Sequence, residues 1–298
     1  MDGVLGWAIA VSAVAAAVVA ALWTAGAIYY DACGGGRWGR ASAAVWAIGV
    51  AAALLLWEPV WQPFAALAGV EVAILGWWLR QRPSHDRDWE PAVAVLPRVT
   101  RDGDAVTVHP VRDFDYPAPG VVVPRYDTRT YHLSRLVGLD LLVFNWGSRW
   151  MCHPALVFDF GPDGRLCVSV EVRYRKGKRY ALLPSLYRQQ EIIYLAADER
   201  DVILRRTLHP PQQAAHLYQL VAPPDEVRAV FLAYADAMNG LLTEPRWYHG
   251  VCMNCTTSFY RLPGRRCRPD WRVIANAHLD RALYNAGRLD RTVPFEDL

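Results

Sequence analysis

From Val4 to Tyr30 no acidic or basic residue interrupts the chain. Such a run is long enough to cross a bilayer, which takes roughly 20 apolar residues. A second apolar run covers Ala41–Trp57 and a third Phe64–Leu79, each near the lower limit of roughly 17 residues. Between them, Trp57-Glu58-Pro59-Val60-Trp61-Gln62-Pro63 reads as a turn at a membrane interface, where Trp is enriched. Glu71, inside the third run, is expensive in lipid and is expected to face another helix. A buried bundle of a water-soluble protein would need polar faces that these runs lack. The opening Met1-Asp2-Gly3 has no basic stretch of the kind that precedes a cleaved signal peptide. Residues 1–80 are therefore expected to form a transmembrane anchor of about three helices. With three crossings, Arg37 and Arg40 share a side with Arg80, Arg82 and Arg87, and the positive-inside rule assigns that side to the cytoplasm.

The hydrophobic fraction of 53% exceeds the usual range, and the excess sits before Arg80. The formal charge of +3 leaves no concentrated basic face, so no nucleic-acid partner is expected. Residues 81–91, polar and bounded by prolines, read as a linker; residues 92–298 read as one soluble domain. Short strands are expected at Ala92–Val99, Ala105–Val108, Thr128–Leu133 and Leu139–Phe144. The clearest local signal is a hairpin, His153–Phe160 and Leu166–Tyr174 around Gly161-Pro162-Asp163-Gly164. Ile192–Ala196 and Val202–Arg206 continue the strand series, and helices are expected over Pro224–Leu242 and Trp271–Ala286. Strands followed by helices indicate an α+β domain.

Cys255, in Met253-Asn254-Cys255-Thr256-Thr257, stands where a helix opens. The macrodipole there lowers a thiol's pKa, and free N–H groups can hold an oxyanion. The plainer alternative is a small buried hydrophobe. Cys252 makes a CxxC with it, which leaves a disulfide, or a zinc site with Cys267 and His249 or His278, as further alternatives. A nucleophilic thiol needs a base and a third, orienting group. His153 opens the hairpin, and strand alternation puts Cys167, Ser169, Glu171 and Arg173 on one face of the return strand. If polar face meets polar face, Glu171 lies beside or diagonal to His153 and accepts its N–H; otherwise this is the solvated face of a hairpin. A run of arginines and acids between Arg188 and Arg206 suits either a phosphate or head-group contact or a solvated, ion-paired surface.

Several ordered segments carry a resemblance. They are Arg112-Asp113-Phe114-Asp115-Tyr116, Tyr126-Asp127-Thr128-Arg129, Trp146-Gly147-Ser148, Ser169-Val170-Glu171-Val172-Arg173, Tyr187-Arg188-Gln189-Gln190-Glu191-Ile192-Ile193-Tyr194, Ala197-Asp198-Glu199-Arg200-Asp201-Val202, Trp247-Tyr248, Asn254-Cys255-Thr256-Thr257 and Asp270-Trp271-Arg272. Together they resemble the Lnb N-terminal periplasmic domain family, and the order of a strand histidine followed by an Asn-Cys helix is similar to permuted papain-like thiol enzymes of the NlpC and lecithin retinol acyltransferase type. The resemblance implies such a fold after the transmembrane helices, a bacterial inner-membrane location, and a periplasmic domain, against the arginine count. It implies Cys255 as nucleophile, His153 as base and Glu171 as orienting residue, with Asn254, Thr256 and Arg173 at the substrate or oxyanion. No cofactor is implied. The expected activity is thiol acyl transfer through a Cys thioester, with a membrane lipid and a lipoprotein or envelope peptide as partners. The alternatives are an envelope thiol amidase or peptidase, and a non-catalytic envelope protein.

Overall fold

A computed structural model of the protein describes residues 2–56, 61–145, 148, 150–208, 212–260 and 276–298. They form two compact units, one comprising residues 1–83 with 181–189, the other residues 84–180 with 190–298.

The first unit holds α1 (Asp2–Ala27), continued by a wider π turn through Ala32, then α2 (Gly36–Leu56) and α3 (Trp61–Arg80). All three are long and apolar enough to cross a membrane by length and composition. The chain reverses through Gly34, Gly35 and Gly36, whose φ angles of 63°, 84° and 76° suit a residue without Cβ. Helix α2 begins ahead of the expected apolar run and takes in Arg37, whose guanidinium lies 5.3 Å from the Trp38 ring centre. Helix α3 includes Trp61-Gln62-Pro63, since proline is tolerated in a first turn; Trp57–Val60 lies outside the described residues. Glu71 does face another helix: the hydroxyl of Thr24 on α1 donates to its carboxylate. Residues 181–189 were not expected in this unit. Their Arg188 guanidinium sits 4.2 Å from the Trp78 ring centre, and Gln189 Nε2 donates to Asp31 Oδ1 at 2.5 Å. A Cβ at Gly26 would lie 1.8 Å from the Tyr187 hydroxyl oxygen, so a larger residue there would displace the Tyr187 ring.

Among the described residues the second unit has the strands β1 (Arg98–Asp102), β2 (Ala105–Arg112), β3 (Asp115–Ala118), β4 (Val121–Val123), β5 (Tyr126–His132), β6 (Gly138–Asn145), β7 (Cys152–Asp159), β8 (Arg165–Arg173), β9 (Glu191–Ala197) and β10 (Ala214–Gln219). With them are α4 (Glu199–Thr207), α5 (Pro224–Thr243), α6 (Cys255–Tyr260) and α7 (Leu279–Asn285). The main sheet runs β1-β2-β9-β8-β7-β6-β10, with β5 also on β2, while β3 and β4 form a separate hairpin. Among the described residues, only β2 and β9 pair in parallel.

The hairpin strands lie inside this sheet, so both their faces are covered. On one face α5 buries Val227, Phe231, Tyr234, Met238 and Leu241, with the Phe231 ring edge-on to Phe158 and Phe160 at 5.2 Å each. Each such side chain contributes roughly 1.5–3 kcal/mol of burial. On the other face Val202 of α4 joins Leu142, Phe144, Ala155, Val157, Cys167 and Leu195.

Three expectations are corrected. Val202–Arg206 is helical, not extended: Asp198 accepts from Arg200 N at 2.9 Å as the N-cap, acids fill the first turn of α4 and arginines its last, and this ordering suits the helix dipole. Ala92–Val99 gives only a short 3-10 turn before β1. Residues 84–90 are not a free linker: Arg87 pairs with Glu191 at 3.0 Å, and Arg173 stacks 4.3 Å from the Trp89 ring centre. Strands β3, β4 and β10 were not foreseen. Of the expected helix 271–286, residues 279–285 are helical and 271–275 lie outside the described residues.

Candidate functional site

The ladder between β7 and β8 ends at Ala155↔Ser169. Beyond it β7 stays paired with β6 as far as Cys152, and β8 stays paired with β9 as far as Arg173. The two strands therefore fork. A cavity of about 770 Å³ opens at the fork, lined by Cys152 and His153 on one tine and Val170, Glu171 and Val172 on the other.

His153 shares its face with Ala155 and Val157, under α4, and its ring lies 6.2 Å from that of Phe144. It is 5% exposed and Ser169 is fully buried, so this is an interior polar row and not the solvated face of a hairpin. His153 Nε2 lies 2.8 Å from Ser169 Oγ and 3.3 Å from Glu171 Oε1. Ser169 Oγ donates to the same carboxylate at 2.7 Å, and so does Arg206 of α4. With Ser169 donating to Glu171, its oxygen accepts from Nε2–H, which leaves Nδ1 as the basic nitrogen. Burial, reinforced by the Arg206 charge, lowers the His153 pKa and keeps the imidazole neutral. Glu171 is held well below the usual carboxylate range, since the Arg206 and His153 interactions outweigh the cost of its burial.

Cys255 is the first residue of α6. Asn254 caps that helix through a reciprocal pair: its Oδ1 accepts from Thr257 N at 2.8 Å, and its own N–H donates to Thr257 Oγ1 at 2.7 Å. This is a capping box with threonine as the returning acceptor. Asn254 Nδ2 donates to Gly250 O at 2.7 Å, so its side chain is committed to the turn. Cys255 packs against the cluster beneath α5, the face of the sheet opposite His153. Both residues line the cavity because the fork opens to both faces. Among the described residues no hydrogen bond joins them; the thiol's partner is Thr256 Oγ1 at 3.8 Å. The helix position does not yield a thiolate: burial pushes the Cys255 pKa up to about 11. The resting pair is a neutral thiol and a neutral imidazole across one cavity.

The remaining expected residues divide. Thr256 lines the cavity and accepts from Asn276 Nδ2 at 2.6 Å. Arg173 is turned elsewhere: it donates to Val93 O at 3.1 Å and Ala94 O at 2.6 Å, strapping residues 93–94 to β8. Cys252 is exposed and unbonded to Cys255, which remains a free thiol; Cys267 and its zinc alternative lie outside the described residues. Ser169 and Asn276 were missed as site residues, and Arg205 and Arg206 were expected only as part of a run suited to a phosphate or a solvated surface. Ser169 stood on the polar face with Glu171, two positions apart, and alternation alone would have linked it. The place of Arg205 and Arg206 in the cavity wall did not follow from reading α4 as a strand. Asn276 has no local signal: its amide brackets Cys152, accepting from N at 2.8 Å and donating to O at 2.9 Å, while also holding Thr256.

The cavity is amphipathic. Phe114, Val122, Val170, Tyr180 and Tyr248 supply aromatic and aliphatic wall, and Arg179, Arg205 and Arg206 supply charge. A family model described as the Lnb N-terminal periplasmic domain matches residues 123–285, more than half of the chain. No curated protein and no solved structure matches it.

Proposed function

The chain belongs to the Lnb N-terminal periplasmic domain family, and from that premise we propose a membrane-anchored thiol acyltransferase with Cys255 as nucleophile. One observation carries the reading: Cys255, His153 and Glu171 line one cavity whose remaining wall is largely apolar and aromatic, with Ser169 linking His153 to Glu171 from behind it. An acyl chain suits that wall, whereas a peptidase calls for a polar groove. The three apolar helices keep the cavity on a protein that stays with its lipid substrate, and the family assigns the domain to the periplasm.

In this mechanism substrate binding brings Cys255 and His153 together, as contacts that are long without substrate tighten in the reacting complex. Nδ1 of His153 takes the thiol proton while sulfur attacks the acyl carbonyl carbon. The carbon–oxygen ester bond breaks, the leaving alkoxide takes the proton from Nδ1, and an S-acyl Cys255 remains. An amine, such as a lipoprotein N-terminus, then attacks the thioester carbon and the thiolate recovers a proton. Ser169 and Glu171 hold Nε2–H and stabilise the transient imidazolium. The cap commits the Asn254 side chain, so backbone N–H groups at the start of α6 would receive the oxyanion.

The test is intact-mass spectrometry of the protein purified from membranes. An acyl-mass adduct is expected on wild type, retained in Cys252→Ser and absent in Cys255→Ser. An adduct that persists in Cys255→Ser, or none in any form after incubation with phospholipid, would sink the thioester.

A further inference from the structure

We propose that the loop from Arg175 to Leu186, between β8 and β9, is a membrane-surface element. Leu182 and Leu183 enter the headgroup region of the bilayer, and the cations before them meet anionic lipid. This surface goes beyond the reaction at Cys255 and does not depend on it. The run Arg175-Lys176-Gly177-Lys178-Arg179 is basic apart from its glycine, and no acidic residue occurs from Tyr174 to Gln190. A solvated, ion-paired loop would interleave both signs. All four cations are exposed, and among the described residues no carboxylate lies within ion-pair distance of them. They flank a turn at Gly177, whose φ is 72°, closed by Lys178 N donating to Arg175 O at 2.9 Å. Next along the chain, Leu182 and Leu183 are 47% and 62% exposed. Ser185 is fully buried beneath them, its Oγ donating to Leu182 O at 2.6 Å.

The leucines belong to the compact unit of the three apolar helices, and that unit fixes their level. The Tyr187 hydroxyl donates to Trp23 O at 3.4 Å, and its ring lies 5.1 Å from that of Tyr30. Arg188 Nη1 donates to Leu79 O at 3.2 Å. These contacts are made towards the ends of α1 and α3, where Tyr29, Tyr30, Trp78 and Arg80 stand. Aromatic and basic residues of that kind mark the boundary between hydrocarbon and water. Two exposed leucines on a segment held at that boundary adjoin lipid, and entering it removes from water the apolar surface that the fold leaves bare. Arg179 precedes Leu182 by three residues, at most about 10 Å of extended chain. The basic run therefore begins within about one Debye length of the same surface, and a basic cluster beside a span attracts anionic headgroups. Lipid is the occupant that meets both halves of the loop, one by charge and the other by continuity with the apolar spans.

The experiment places a nitroxide at Leu183→Cys in the full chain carrying Cys33→Ser, Cys252→Ser, Cys255→Ser and Cys267→Ser, with the buried Cys152 and Cys167 left in place. The protein is held in nanodiscs of phosphatidylcholine, with or without phosphatidylglycerol. Power saturation compares collision with oxygen, which dissolves in lipid, against a nickel chelate, which stays in water. Leu55→Cys, at a position 82% exposed on a span, is the lipid standard. Asp225→Cys, where the native side chain is 96% exposed, is the water standard. The label at 183 is expected to favour oxygen, as at Leu55→Cys, and to shift further that way with phosphatidylglycerol. Lys176→Gln together with Lys178→Gln should remove that further shift, and so should raised salt. Collision with nickel as at Asp225→Cys overturns the proposal. Protection from both reagents would mean a protein contact and overturns the lipid occupant. Insertion equal in the two compositions overturns the role of the cations. If Leu183→Cys fails to fold, the unsubstituted chain decides. A phospholipid with a diazirine beside its ester should label residues 181–186, and finding them unlabelled overturns the proposal.

Discussion

At the scale of residues, the thiol and the imidazole are both kept uncharged by burial. Helix position argues for a reactive thiolate at Cys255, but the loss of hydration outweighs the first-turn dipole, which is worth about 0.3–1 kcal/mol at exposed sites. With the thiol's pKa near 11, only a small fraction ionises at neutral pH, and that fraction grows tenfold for each pH unit. Alkylation of Cys255 by iodoacetamide, followed by peptide mass spectrometry without substrate, is therefore expected to quicken about tenfold per unit between pH 7 and 9. A rate already level across that interval would mean a resting thiolate–imidazolium pair, which the neutral assignment excludes. The residue scale was partly legible in the sequence. His153 with Glu171 followed from alternation, because period two fixes which side chains share a face. The sheet face of Cys255 did not follow, since it depends on how α6 docks, and nothing within Met253–Thr257 encodes that.

At the scale of elements, the polar anchor of α4 explains both a correction and a stability. Asp201, in the first turn of α4 and fully buried, receives Arg112, the Phe114 N–H at 2.9 Å and the Tyr116 hydroxyl, tying the helix to β2 and to the hairpin of β3 and β4. Removing one member of such a buried pair strands the other. Asp201→Ala is expected to cost about 3–5 kcal/mol, read as a lowered midpoint in denaturant unfolding of the second unit; a loss below about 1 kcal/mol, the worth of a surface pair, would contradict this account. Sequence reading took Val202–Arg206 for a strand because Val-Ile-Leu favours extended chain. The contrary signals, an Asp198 cap with acids before and arginines after, were present and are the more mechanistic guide. Apolar runs bounded by turn residues made β6, β7, β8 and β9 legible, because both faces of these strands are covered. The short strands β3 and β4 and the edge strand β10 are largely exposed, so burial left little pattern in them.

For the whole molecule, the arginine count and the family description point to opposite sides of the membrane. The count is a tendency of basic residues near the spans, whereas the family description is specific to the domain, whose residues 123–285 it matches. The domain is therefore expected outside the cytoplasm. Cys252 is exposed and can report on it: a membrane-impermeant maleimide should label Cys252 in spheroplasts whose inner membrane is intact. Labelling that appears only after that membrane is broken would place the domain in the cytoplasm. The same protein should resist extraction by carbonate, as three apolar helices require.

The double grip of Asn276 has a consequence for the order of synthesis. One amide holds the residue before His153 and the residue after Cys255, and it stands 124 positions beyond Cys152. A nascent chain emits its anchor first, then the forked strands, then the thiol, and only afterwards the side chain that brings these parts into register. Until then the growing polypeptide carries Cys255 and His153 without the amide that ties the strand of one to the helix of the other, so a chain released early lacks the assembled cavity wall.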